Sequence, residues 1–562
     1  MVNQNIRRDS LVLYKNKPAH VREIDDKLEI ELQAGGRLRV RFKDVELLHE
    51  GPLTSLDELV HQEGEVKTAW ELLQGSKTNL SDLTELIYGS NTPVLAWSAW
   101  LLVEDGLYFR GTPQEISVCS HHDVQEEIAS RQAKAEEEDA WNNFLERVRS
   151  GQSSPEDGRF LREVEDLALG RRKNSRVLQA MGRSESPENA HALLLETGYW
   201  DITQDPYPQR LEISTSTPDI ALAELPEEER KDLTGLMAFA IDDEGSHDPD
   251  DAISVEGGRL WVHIADTAAI IPPDSPVDLE ARARGTSVYL PEGTIPMLPP
   301  QAIQILGMGL QDRSPALSFG ILLDKTGEIE DIVIIPSWVK VQRLTYAQAE
   351  SLLENDPFRE IYELEQRYHL RRQANGALFI DLPEVKLKVE DGQVQIIPIP
   401  ALRSRDLVRE AMLMAGEAAA RFAIEHEIPI PYATQEGPNS AELPDGLAGL
   451  FALRRSLKRS QVSSIPGPHA GVGLEVYTRA TSPLRRYLDL VVHQQLRAYL
   501  RAEEMLDTQA LLERLGASEG ISSTANRAEQ LAERHWTLVY LLQHPDWYQE
   551  HKTQNKEKCN RN

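Results

Sequence analysis

Between Asp242 and Asp251 the chain reads D-D-E-G-S-H-D-P-D-D, a density of carboxylates with few structural uses. Asp242, Asp248, Asp250 and Asp251 can converge there. Two carboxylates about 4 Å apart repel by ~1 kcal/mol in water and by ~4 kcal/mol at an effective dielectric near 20, so a converged cluster needs cations or protons. Hard divalent metal is the natural partner, because Mg²⁺ and Ca²⁺ take oxygen ligands.

Two other readings compete: a solvated acidic turn, and a calcium loop of the EF-hand kind. The calcium loop fails on position. Counted from Asp242, the sixth residue is His247 where glycine is required, and the twelfth is Ile253 where glutamate is required. The apolar stretch Leu236, Met237, Phe239, Ile241 leads in and Ala252-Ile253 leads out, which describes a strand end turning through a partly buried loop. Between the solvated turn and a catalytic metal site, the motifs that follow in the chain decide.

Further along come L-W-V-H-I-A-D (Leu260 to Asp266), A-R-A-R-G-T-S-V-Y-L-P-E-G-T-I-P-M-L-P (Ala281 to Pro299), R-L-T-Y (Arg343 to Tyr346) and Y-T-R-A-T-S-P-L-R-R-Y-L-D-L-V-V-H (Tyr477 to His493). With these motifs in this order, the chain from about Leu233 to Leu542 closely resembles the ribonuclease II and ribonuclease R family, 3′-to-5′ exoribonucleases built on the RNB domain.

The resemblance implies roles residue by residue. The family pattern of an Asp followed after six, then two, then one residue by further Asp is reproduced by Asp242, Asp248, Asp250 and Asp251, implied ligands of one or two Mg²⁺ ions. Two ions about 3.5–4 Å apart activate a water and stabilise the departing 3′-oxygen. Arg485 matches the arginine that contacts the scissile phosphate, where its fork spans two oxygens as a lysine cannot. Glu533, in L-A-E-R-H, matches a late glutamate near the catalytic end of the RNA channel. Tyr289 matches the aromatic that fixes the 3′-terminal nucleotide, and Tyr346 another tyrosine lining that region. Stacking suits an enzyme without sequence preference, at roughly 1–3 kcal/mol per base. Arg486 is placed with the RNA contacts, pairing with a carboxylate such as Asp489 being its structural reading. His263 and Asp266 read as structural.

Departures from the family also stand out. Where an aromatic normally stacks on a base, G-A-L-F-I-D-L-P-E puts Ile380, with Phe379 expected on the opposite face of a strand. R-E-A-M (Arg409, Glu410) and Gly416 replace other family residues. The OB-type barrel that usually follows the RNB domain has no counterpart in the short stretch from Gln543 to Asn562.

A formal charge of −31 argues against a protein that coats nucleic acid. A channel escapes this objection if its basic residues are concentrated along it. Arg282 and Arg284, then Arg454, Arg455, Lys458 and Arg459, then Arg479, Arg485 and Arg486 are the expected concentrations. No apolar run has the ~18 residues of a membrane span, and the polar start carries no secretory signal. Cys119 and Cys559 lie far apart and read as free thiols in a reducing compartment, so a cytoplasmic protein is predicted; the expected state is a monomer.

These elements predict a multidomain α+β chain. Residues 1–52 alternate apolar and polar side chains in short runs, as in a small OB-like or SH3-like β-barrel. Residues 53–120 read as short helices followed by a hairpin, a winged-helix-like module. Residues 121–217 form a charged helical connector of solvated helices ending in a proline-rich stretch. Residues 218–545 form the RNB-type mixed α/β catalytic domain, and 546–562 a polar tail. The function expected is Mg²⁺-dependent 3′-to-5′ hydrolysis of single-stranded RNA to nucleoside 5′-monophosphates. The competing reading is a catalytically silent RNB-fold protein that binds RNA or regulates.

Overall fold

The computed structural model describes residues 5–33, 35–438 and 446–545, so the polar tail and Cys559 lie outside the described residues. The chain divides into two compact units, Met1–Ser150 and Gly151–Asn562.

The first unit opens with an antiparallel sheet. Strands Leu11–Tyr14, Lys17–Ile24, Leu28–Leu32 and Arg37–Val40 form a meander, and after a single 3₁₀ turn Glu46–His49 returns to pair with the first. Val12, Ala19, Val21, Leu28 and Ile30 are buried together, as their alternation with polar residues requires. Helices Val66–Leu73, Leu80–Tyr88 and Pro93–Asp105 follow, the last two capped by the Asn79 and Thr92 side chains. The hairpin Phe109–Thr112/Glu115–Val118, joined by the short strand Lys77–Thr78, completes a winged-helix arrangement. Cys119 is a buried free thiol. Helix His121–Arg149 closes the unit, its Ser120 and Asp123 forming a capping box.

In the second unit, helix Gly158–Ala168 buries Phe160, Leu161, Val164 and Leu167 and lies against Pro187–Glu196, which buries Ala190, Leu193 and Leu194. These helices therefore carry a small core of their own and are more than solvated spacers. The apolar positions recur at helical spacing, a pattern that the high charge of the whole segment obscures.

The catalytic-domain sheet has seven strands, ordered Val341–Thr345, Ala238–Asp242, Asp251–Glu256, Arg259–Ala265, Ser314–Leu323, Ile329–Val339 and Lys231–Asp232. It is antiparallel except at its two edges. Phe239, Ile241, Ile253, Val262, Ile264 and Phe319 form one face, in a core with helices Phe358–Ala374 and Arg403–Glu425. Ala240, Ala252, Trp261 and Ala316 form the other, with helices Pro276–Arg284, Pro300–Leu306 and Tyr487–Leu500 and the start of Thr508–Gln543. Both faces being covered, the central strands are apolar on both sides, and a loop at their ends is held between two packed layers.

Gly416 sits midway along Arg403–Glu425, where an added Cβ would lie 2.4 Å from both the Thr478 carbonyl oxygen and the Tyr477 ring. Glycine at this family departure is what lets the helix approach the Tyr477-Thr478 backbone.

Candidate active site

The acidic loop joins two neighbouring strands. Asp242 ends Ala238–Asp242 and Asp251 begins Asp251–Glu256. The loop between them is pinned by its backbone: the Met308 N–H donates to the Pro249 carbonyl at 2.9 Å, and the Ala265 N–H to the Asp250 carbonyl at 2.8 Å. Asp250 is thereby drawn inside, 3% exposed.

There it meets the T-S-P-L-R-R-Y turn. The Leu484 N–H donates to Asp250 Oδ1 at 2.9 Å, and Arg485 Nε donates to Oδ2 at 2.9 Å. Arg485 Nη2 donates to Ser482 Oγ at 3.0 Å, so two bonds fix the guanidinium plane. The Arg485 carbonyl accepts from the Ser287 N–H at 2.9 Å and from Thr286 Oγ1 at 2.8 Å. These bonds tie the turn to the segment entering strand Val288–Leu290, which carries Tyr289. The Tyr289 hydroxyl donates to Asp248 Oδ2. Gly285, at φ +70°, makes the bend before that segment, and its carbonyl accepts from the Tyr487 N–H.

Burial drives the Asp250 carboxyl up to about 7, against the pull of Arg485 and the Leu484 N–H. Burial, with Asp242 and Asp250 as negative neighbours, drives Asp251 up to about 7 as well. Burial also raises Asp242, which Arg343 partly offsets. Tyr289 is raised by burial and then by Asp248, so its hydroxyl stays protonated. Such a donor set fits a hard divalent cation: the ligating atoms are carboxylate oxygens, and a cation relieves the stress that otherwise holds protons there. The aspartates are not drawn in around one point, however. Among the described residues, the one trio of carboxylate or imidazole atoms lying within 4.8 Å of one another is Glu365, His369 and Glu410, in another part of the domain.

The remaining predicted residues fall into two groups. Tyr346 stands at the rim, because the parallel pairing of Thr345 with Asp242 carries it alongside the cluster, and the Arg405 guanidinium lies 4.1 Å from its ring centre. Arg405 itself pairs with Asp243. Glu533 is exposed on Thr508–Gln543 and lines a groove with Arg459, Asn526 and Arg527. One turn earlier Glu529 takes the closer role, its Oε1 accepting from the Tyr289 N–H at 2.7 Å. Sequence reading passed over Glu529, although its spacing of four from Glu533 puts both on one helix face.

Arg486 grips Asp489 with both ends of its fork, at 3.0 and 2.6 Å, which is its structural reading. Arg282 pairs with Asp274 and Asp278, and Arg284 with Glu280, so these two arginines brace their own helix and do not add to a basic channel. Arg454, Arg455, Arg459 and Arg479 remain exposed. Ile380 is half-buried in a segment outside any helix or strand; beside it the Phe379 ring lies 4.4 Å from that of His369 and under Arg372. His263 is buried between Ser254 and Ser318, at 2.9 and 2.7 Å, and burial drives it down to about 3. Asp266 is enclosed by Arg230 and Arg497, at 2.7 and 2.6 Å. Both are structural.

A family profile described as the RNB domain matches residues 230–502, and one described as a double HTH domain matches residues 124–206. An uncharacterised ribonuclease of Synechocystis sp. is 35% identical over 545 residues, covering 87% of this chain and 81% of the relative. A ribonuclease II of Arabidopsis thaliana, named as chloroplastic/mitochondrial, is 28% identical and covers 84% of this chain and 67% of its own. The Dss1 exoribonuclease of Candida glabrata, in the crystal structure of an active-site mutant, shares the fold with a TM-score of 0.63 at 18% identity, over 96% of this chain and 90% of that one.

Proposed function

Given that this chain belongs to the ribonuclease II and R family built on the RNB domain, we propose that it is a 3′-to-5′ exoribonuclease hydrolysing single-stranded RNA to nucleoside 5′-monophosphates. The observation that carries the reading is the buried Asp250 locked to Arg485 within the loop that also holds Asp242, Asp248 and Asp251. In this reading the four aspartates hold Mg²⁺, one ion or two. Bound there, the metal supplies Lewis acidity toward phosphate oxygens and an acidified water.

The side chains do the rest. Arg485 commits Nε to Asp250 and Nη2 to Ser482, leaving Nη1 for a non-bridging phosphate oxygen as charge builds on it. With its hydroxyl held by Asp248, Tyr289 offers the terminal nucleotide its ring face, the part that accepts any base. Discrimination against DNA rests on contacts to the 2′-hydroxyl. Arg454, Arg455, Arg459 and Arg479 give the phosphate backbone a local attraction that the acidic exterior lacks. Monomeric action in the cytoplasm belongs to the same reading. Among the described residues no helix is long and apolar enough to cross a membrane.

Incubation of the purified protein with 5′-labelled single-stranded RNA, with and without Mg²⁺, tests this. Metal-dependent shortening from the 3′ end with release of mononucleotides is expected. RNA that is bound but left intact at every Mg²⁺ and Mn²⁺ concentration would establish the catalytically silent alternative instead.

A further inference from the structure

Helices Phe358–Ala374 and Arg403–Glu425 pack side by side on one face of the seven-stranded sheet, and their contact buries carboxylates that hydrolysis does not use. Glu365 and His369, one turn apart, lie on the same helix face, and Glu410 meets them from the second helix. The ligating atoms of the three all lie within 4.8 Å of one another. His369 Nδ1 stands 3.2 Å from Glu410 Oε1. For Zn–N and Zn–O distances of about 2.0–2.2 Å, two ligands of a tetrahedron stand roughly 3.4 Å apart, so this pair already matches one edge.

Both carboxylates are held by neighbouring side chains. Arg372 grips both oxygens of Glu410, Nε donating to Oε2 at 2.8 Å and Nη2 to Oε1, the oxygen beside His369. Gln366 Nε2 donates to Glu365 Oε2 at 2.9 Å. Ligating carboxylates are commonly oriented by such partners. Arg409 comes within 3.6 Å of Glu410 but pairs more closely with Asp406, at 2.8 Å.

Glu365 Oε1 is what remains. The residue is 1% exposed, and this oxygen has no hydrogen-bond partner among the described residues. A buried carboxylate with an unpartnered oxygen, close to a second carboxylate and an imidazole, calls for a cation or a proton.

We propose that Glu365, His369 and Glu410 form a second metal site, separate from the four aspartates, which takes a zinc-class divalent cation and clamps the two helices together. An imidazole among two carboxylates favours Zn²⁺ or Co²⁺ over Mg²⁺, which keeps to oxygen ligands. The fourth ligand is water, admitted on the partly exposed side of His369. A proton is the competitor, since burial and the Glu410 charge raise Glu365 to about 7, so the metal is favoured above neutral pH. The site also bears on its surroundings, because the His369 ring that turns toward the metal is the one packed on Phe379. None of this depends on the nuclease reading.

The test is titration of the metal-stripped full chain with Co²⁺ and Zn²⁺ at pH 8 in excess Mg²⁺, which occupies oxygen-only sites. One equivalent of Co²⁺ with visible bands of four-coordinate geometry is expected, displaced by Zn²⁺. Glu365→Gln and His369→Gln should each weaken binding by at least about tenfold, while Asp250→Asn leaves the spectrum unchanged. Absence of a tight equivalent in the wild-type chain overturns the proposal, as does a spectrum that both variants retain or that Asp250→Asn abolishes. If either variant unfolds by circular dichroism, X-ray absorption of the Zn²⁺-loaded wild type decides. One imidazole with oxygen donors supports the site, and an all-oxygen sphere overturns it.

Discussion

Asp250 and Arg485 stand 235 residues apart in the chain and 2.9 Å apart in the fold, Nε to Oδ2, with Asp250 at the more buried end of the pair. One carboxylate thus serves two ends: it is an implied metal ligand, and it sets the plane of the arginine proposed to contact the phosphate. Asp250→Asn keeps the volume and an acceptor for the Leu484 N–H but removes the charge. RNA hydrolysis should fall by several orders of magnitude while RNA affinity stays within a few-fold. Arg485→Lys keeps charge without the fork, so kcat should fall more than affinity. Single-turnover rates beside filter-binding constants separate the two effects, and binding that collapses with activity in Asp250→Asn would make the residue structural.

The carboxyls raised to about 7 make metal binding pH-dependent in a definite direction. A folded-state pKa above the unfolded value means that the folded chain holds extra protons at Asp250 and Asp251. Without metal, their contribution to stability is fully present below the unfolded value near 4 and is lost as pH rises toward 7. Mg²⁺ competes with those protons, so its stabilising effect should be small at pH 5.5 and grow through pH 7 to a plateau near 8. Melting temperatures with and without Mg²⁺ across that range check it. A pH-independent increment, or one unchanged in an Asp250→Asn, Asp251→Asn double variant, would place the stabilising Mg²⁺ elsewhere.

Gly416 connects packing to the same turn. A methyl group there meets the Thr478 carbonyl and the Tyr477 ring at 2.4 Å, in the strand of sequence that leads to Ser482 and Arg485. Gly416→Ala should destabilise the chain by about 1–3 kcal/mol, as overpacking does. Activity should drop further than the loss of folded protein accounts for, because the strain is released toward Arg485. Urea melts paired with kcat per folded molecule measure both, and a variant of wild-type stability would show that the helix simply shifts aside.

What the sequence disclosed depended on distance along the chain. The aspartate loop was legible because its ligands lie within ten residues and their spacing is itself the pattern. The i, i+4 pairs Asp278–Arg282 and Glu280–Arg284 were equally local, and they mark these arginines as helix braces; counting positive charge alone assigned them to RNA. Gly416 was visible as a departure, but its cause is a backbone more than sixty residues away. For Glu529 the helix gives only a face, shared with Glu533 four residues on; its role, a bond to the Tyr289 backbone 240 residues distant, is not local and so is not legible. The helices after Ser150 were misjudged because average charge hid an apolar face that periodicity alone reveals.

That Glu529 contact yields the last prediction. The Tyr289 N–H would lose its acceptor in Glu529→Ala, while Glu529→Gln retains a carbonyl oxygen at the same reach. Tyr289 is itself fixed at its other end by Asp248, so loosening its backbone shifts both the stacking ring and the hydroxyl that orients an implied metal ligand. Glu529→Ala should therefore raise KM for short RNA several-fold and lower kcat, with about 1 kcal/mol of lost stability. Glu529→Gln should stay within about twofold of wild type, because a hydrogen-bond acceptor, not a charge, is what the position supplies. Steady-state kinetics on a short 5′-labelled oligonucleotide distinguish the outcomes. Equal losses in the two variants would mean that the negative charge beside the channel is what matters, and wild-type kinetics in Glu529→Ala would show that Asp248 and the Thr286–Ser287 backbone hold Tyr289 without help.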